Sequence, residues 1–111
     1  MIETKKINNN TILILPKFNF EITNYENVTE LKNIIFNYIN TENIVNIILN
    51  LEHCNFIDSF GIGNLLRIYE QIKKHNGKLM ACNISKNIEK LFKITNLCSF
   101  ITPIDNCNKF N

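Results

Sequence analysis

No stretch of this chain reaches the roughly 18 consecutive apolar residues of a membrane-spanning helix, so no span and no membrane partner are expected. The opening residues, Met1-Ile2-Glu3-Thr4-Lys5-Lys6, lack the apolar segment of a signal peptide, which points to the cytosol. Charge of one sign is not concentrated anywhere: the 12 basic residues are dispersed and the net charge is only +2. A nucleic-acid surface would show a basic stripe with interleaved aromatics, so nucleic acid is not an expected partner either. Arginine is almost missing, with eleven lysines to the single Arg67, while asparagine and isoleucine abound. That bias reads as the codon usage of an AT-rich genome and is assigned no function. Paired cysteine spacing is absent as well. Cys54, Cys82, Cys98 and Cys107 contain no C-x-x-C unit and no histidine at metal-ligand spacing, so neither a metal nor another cofactor is expected. In a reducing compartment all four are expected as free thiols. Cys82, inside an apolar stretch, is expected to fill the core as a small hydrophobe.

What the chain does contain is a globular composition, 45% hydrophobic over 111 residues, enough for one domain of about 13 Å radius of gyration. Two apolar runs, residues 2–7 and 11–15, flank the polar turn Asn8-Asn9-Asn10 and predict a hairpin. Pro16 ends the second strand because it has no N–H for a ladder, and residues 16–24 read as a loop. Val28, Leu31, Ile35, Tyr38 and Ile39 recur at helical spacing and predict a helix over 25–40. Residues 44–51 are almost continuous in Ile, Val and Leu, the pattern of a strand covered on both faces. Ile62, Leu65, Leu66, Tyr69 and Ile72 form the stripe of a second helix, running to about Lys74, with Asn76-Gly77 as its stop. A strand at 78–84, a helix at 86–95 capped by Ser85, and a short strand at 100–104 complete the order β-β-α-β-α-β-α-β. Together they predict an α/β domain with a mixed sheet of about five strands and about three helices. The polar end, 105–111, is expected to fray.

The most informative stretch is the strand-to-helix turn Asp58-Ser59-Phe60-Gly61-Ile62-Gly63. A serine placed where a helix begins can cap it, act as a nucleophile, or accept a phosphoryl group. The nucleophile reading fits poorly. The hydrolase elbow G-x-S-x-G has Ile57 where its first glycine belongs, and His53 and His75 stand isolated. No phosphate-cradling G-x-x-x-x-G-K-[ST] occurs, and Gly61-x-Gly63 lacks the third glycine of a dinucleotide fingerprint. No acid/base pair is readable, so an enzyme is not expected. As a phosphoacceptor Ser59 is physically sound, because a helix N-terminus accommodates anions. The cap and the phosphoacceptor both remain open on the residues alone. So do two readings of the glycines: a tight packing turn, or a surface kept bare for a visiting molecule.

From Ile48-Leu49-Asn50-Leu51-Glu52 through Phe56-Ile57-Asp58-Ser59-Phe60-Gly61-Ile62-Gly63, then Leu66, Tyr69, Ile72-Lys73, Gly77-Lys78-Leu79, Ile84-Ser85, Leu91-Phe92 and Leu97, the chain resembles a STAS domain. More narrowly it is similar to the bacterial anti-sigma factor antagonists, whose D-S-x-G-[LI]-G signature stands in the same strand-to-helix setting. The resemblance implies one STAS domain over 1–111 that is not itself a catalyst. It implies binding to an anti-sigma factor with serine kinase activity, which frees a sigma factor for transcription. Phosphorylation of Ser59 by that kinase would end the binding, and a PP2C-type phosphatase would restore it. Asp58 would present the serine, and Phe60, Gly61, Ile62, Gly63 and Asn64 would form part of the docking surface. Three departures stand out. Phe60 occupies a position where the family often has a second serine, which suggests a partner-specific anchor. Pro16-Lys17-Phe18-Asn19 stands where the family usually has G-x-[LF]-D, so Asn19 replaces a charged docking residue. The 105–111 tail is too short for the family's closing helix. Two alternatives accompany this reading: a STAS scaffold subunit that meets no kinase, and a nucleotide or anion sensor using the Gly61/Gly63 helix start.

Overall fold

The computed structural model describes residues 2–17, 20–23 and 25–107. Its elements are β1 (Ile2–Asn8), β2 (Thr11–Pro16), β3 (Phe20–Ile22), α1 (Tyr25–Glu42), β4 (Asn46–Asn50), β5 (Cys54–Ile57), α2 (Ser59–Lys74), β6 (Leu79–Cys82), α3 (Lys86–Ile94), a single 3₁₀ turn (Leu97–Ser99) and β7 (Thr102–Pro103). Five strands form one sheet in the order β1-β2-β4-β6-β7, with β1 antiparallel to β2 and every other neighbour parallel. The expected mixed sheet and three helices are both present.

Alternation along the strands separates two faces. Ile12, Ile14, Ile47, Leu49, Leu79 and Ala81 point to the helices and join Leu31, Ile35, Leu65, Ile68, Ile72, Ile88 and Phe92 in the main core. Ile48, Met80 and Cys82 point the other way and pack with Cys107, Leu13 and Ile104. All three helices therefore cover one face, and the chain's last described segment covers part of the other. The borders of the sheet are poor in exposed apolar side chains. β1 presents Glu3, Lys5 and Lys6 to solvent, and β7 is two exposed residues long with Pro103 in it.

Four asparagines, at 43, 76, 83 and 96, hold left-handed backbone with φ between 53° and 61° where elements end. No glycine among the described residues has positive φ. Asparagine tolerates that region better than other side-chain-bearing residues, so some of the compositional bias does structural work at chain reversals.

Several expectations are corrected. Residues 16–24 are not loop throughout, because Phe20–Ile22 pairs in parallel with Cys54–Ile57 as a separate two-stranded sheet. The last strand is shorter than 100–104, the 3₁₀ turn taking up Leu97–Ser99. The cysteines are not all free. Cys82 and Cys107 are joined as a disulfide with Cα atoms 5.5 Å apart, because the crossover after β7 brings the chain end back over the end of β6. Cys54, buried, and Cys98, exposed, are free thiols. Of the tail expected to fray, 105–107 ends in the buried Cys107, and 108–111 lie outside the described residues. None of the described helices is long and apolar enough to cross a membrane.

Candidate partner-docking site

β5 delivers the chain to α2 through Asp58, whose backbone is extended (φ −101°, ψ −175°). Its Oδ1 accepts the N–H of Gly61 at 2.8 Å, and its carbonyl accepts the N–H of Ile62 at 2.9 Å. Asp58 is thus the N-cap, and the capping reading of Ser59 is corrected: Ser59 is the first helical residue. It is exposed, and none of the hydrogen bonds found among the described residues involves its hydroxyl. Among the described residues, no capping bond uses that oxygen. Because the cap is one hydrogen bond at a half-buried site, Asp58→Ala should cost about 1 kcal/mol, read as a lower urea midpoint with unchanged slope.

The two glycines separate cleanly. A methyl group on Gly61 would stand 1.8 Å from the carbonyl oxygen of Ile22, so β3 crosses the helix start in backbone contact. A methyl on Gly63 would meet nothing within 4 Å. Gly61 answers to packing, while Gly63 leaves an open patch on the outer side of the same turn. Asn64 also turns inward, only 5% exposed, its Nδ2 donating to the Phe60 carbonyl at 2.9 Å and its Oδ1 accepting from Lys32 Nζ at 3.3 Å. Gly61 and Asn64, expected on the docking surface, therefore face the interior and position it from beneath. Ser59, Phe60 and Gly63 stay outside, with Asp58 and Ile62 half-buried between. Asn19 lies outside the described residues.

Aromatic rings gather around this turn. Phe60 is 45% exposed and stacks on Tyr25 at the start of α1, centroids 6.3 Å apart and planes 29° from parallel. Phe56, 57% exposed, borders a cleft of about 190 Å³ that β5 shares with Asn87, Ile88 and Leu91 of α3. Three of the four large exposed hydrophobic side chains among the described residues are thus Tyr25, Phe56 and Phe60. Sequence reasoning missed Tyr25 and Phe56. Tyr25 reads as an ordinary helix-starting apolar residue, and only the α1–α2 packing brings it to Phe60. Phe56 could have been suspected from its place three residues before the serine.

Catalytic groups do not converge here. Burial pushes the Cys54 thiol up, outweighing the backbone hydrogen bonds to it, so it stays protonated and unreactive at neutral pH. Among the described residues no cluster of three His, Cys, Asp or Glu side chains could hold a metal ion.

A sheet of this order, with an exposed serine behind an aspartate cap, belongs to a known class. The family model for the STAS domain matches residues 2–109, and the chain belongs to that family. Among solved structures, the anti-sigma factor antagonist SpoIIAA in its unphosphorylated form is similar with a TM-score of 0.78 at 21% identity, covering 96% of this chain and 90% of that one. The phosphorylated form of the Bacillus cell fate determinant SpoIIAA gives 0.73 at 20% identity, over 96% and 93% of the two chains. TM1081 of Thermotoga maritima gives 0.75 at 24% identity, over 91% and 78%. At these identities the likeness shows a shared fold.

Proposed function

We propose that this protein is an anti-sigma factor antagonist, a binding module rather than a catalyst. In this reading unmodified Ser59 permits docking to a kinase-type anti-sigma factor, which releases its sigma factor. Phosphorylation of Ser59 ends the docking, and a PP2C-type phosphatase restores it. The observation that carries the reading is the spare hydroxyl. Asp58 does the capping, so Ser59 is accessible and modifiable without loss of a structural hydrogen bond.

The surroundings suit a switch. A phosphate on Ser59 adds about −1.5 to −2 charges beside the N–H groups of Ser59 and Phe60, which have no partner within the helix. The helix dipole favours an anion there by about 0.3–1 kcal/mol, so the modified domain stays folded. The partner, in contrast, meets a dianion where a hydroxyl stood. Incubating the protein with the kinase-type anti-sigma factor of its own genome and ATP should add one phosphate, mapped by fragmentation to Ser59. A phosphate elsewhere rejects the assignment to Ser59, and no mass gain at all favours the scaffold that meets no kinase.

The stacked pair Phe60 and Tyr25 gives the surface its anchor. Exposed aromatics that stack on one another are the side chains that dominate interfaces once buried. Phe60→Ala should weaken the complex at least about tenfold with little change in melting temperature. Calorimetric titration against the same anti-sigma factor is the check, and undiminished affinity would exclude Phe60 as a contact.

A further inference from the structure

We propose that Cys82 and Cys107 form a reversible redox site, a latch that fastens residues 104–107 onto the sheet face opposite the helices. Three observations support it. First, that face is apolar at Leu13, Ile48 and Met80, and the side chains packed over it in the described structure come from Ile104 and Cys107. Second, beside the backbone bond from Ile104 N–H to the Ala81 carbonyl at 2.8 Å, the Cys82–Cys107 link, 25 residues apart in sequence, ties this segment covalently to β6. Third, the Cα separation of 5.5 Å falls in the middle of the range that disulfides occupy. A reducing compartment, expected from the sequence, makes such a bond conditional rather than permanent.

The site also communicates with its surroundings. Asn83, in left-handed backbone just after Cys82, donates through Nδ2 to Asn50 Oδ1 at 3.1 Å and to Cys107 Sγ at 3.5 Å. Asn50 Oδ1 in turn accepts the N–H of Glu52 at 3.1 Å, in the loop that leads into β5.

The chemistry balances with a peroxide as oxidant and a small dithiol as reductant. Cys107 is 9% exposed and Cys82 is fully buried, so Cys107 is the sulfur that a solute reaches. Its thiolate attacks one oxygen of hydrogen peroxide and breaks the O–O bond, giving a sulfenic acid and hydroxide, which takes up the proton the thiol had released and leaves as water. The Cys82 thiol then attacks that sulfur, forming the S–S bond and releasing a second water. In reverse, a dithiol thiolate attacks Cys107 and Cys82 departs as thiolate. The reductant's second thiol then displaces Cys107 and closes its own disulfide.

The test uses the full chain with Cys98→Ser, to remove the exposed competing thiol, after dithiothreitol or after hydrogen peroxide. Peptide mapping should find the 82–107 link only in the oxidised sample, and dithiothreitol should remove it. Reduction should speed hydrogen exchange at the Ile104 amide by about tenfold or more and lower the melting temperature by about 10 °C. A Cys107→Ser variant should exchange like the reduced protein and ignore peroxide. A link to Cys54, no link at all, or exchange at Ile104 that is the same in both states would overturn the proposal.

Discussion

On the proposed function, aspartate in place of Ser59 should weaken binding to a kinase-type anti-sigma factor by about 100-fold or more, without destabilising the fold. The two halves of that expectation have separate causes. Within the free domain, position 59 is exposed and its side chain bonds to nothing described. A carboxylate at the first helical position is mildly favourable through the dipole, offset in part by repulsion from Asp58. The melting temperature should therefore hold. In the complex, the same carboxylate is taken out of water against a surface shaped for a hydroxyl. An unpaired desolvated charge costs about 3–5 kcal/mol, and each 1.4 kcal/mol is a factor of ten. Ser59→Ala should bind with near-native affinity and accept no phosphate. Titration of both variants, beside thermal melts, decides it: if the aspartate variant binds like the parent protein, Ser59 lies away from the interface.

The glycine pair gives the largest expected change in stability. Gly61→Ala puts a methyl 1.8 Å from the Ile22 carbonyl oxygen and 2.9 Å from its carbon. Those are backbone atoms of β3, which cannot rotate aside as a side chain would. Relief requires moving β3 from α2, and Ile22 is fully buried, with β3 paired to β5. The cost should be about 3 kcal/mol or more, a large part of the stability of a domain this size. Gly63→Ala meets no obstacle and replaces the poorest helix former but proline, gaining up to about 1 kcal/mol. Chemical denaturation should therefore move the two midpoints in opposite directions. On the proposed function, Gly63→Ala should also lose affinity for the anti-sigma factor, since its methyl fills ground that is bare in the native chain. Equal stabilities for the two variants would refute the close approach of β3.

How far these features were legible in the chain depends on the range of the forces that set them. The isoleucine-rich run around Ile47, Ile48 and Leu49 and the spacing of Leu31, Ile35 and Ile39 are local patterns, and they announced strand and helix correctly. The stripe of α2 was read slightly off axis. Ile68 is fully buried, whereas Leu66 and Tyr69 are only half-covered, and the buried face runs through Gly61, Leu65, Ile68 and Ile72. Two good capping residues stand side by side at 58 and 59, and propensity does not choose between them; the extended backbone at Asp58 does. Gly61 and Gly63 look alike in sequence, yet two residues turn a helix by about 200°, so one meets β3 and the other meets solvent. β3 and β5 are three and four residues long, too short for alternation to register. The Cys82–Cys107 pairing depends on topology across 25 residues, which no local spacing encodes.

The guarded rims of the main sheet limit how other molecules can approach. With lysines along the edge strand β1 and only two residues, one of them proline, in β7, an incoming peptide meets charged side chains at one border and a stub at the other. Recognition by strand addition is thereby discouraged. A visitor is directed instead to side chains, and on the proposed function the exposed rings beside the 58–63 turn supply the grip.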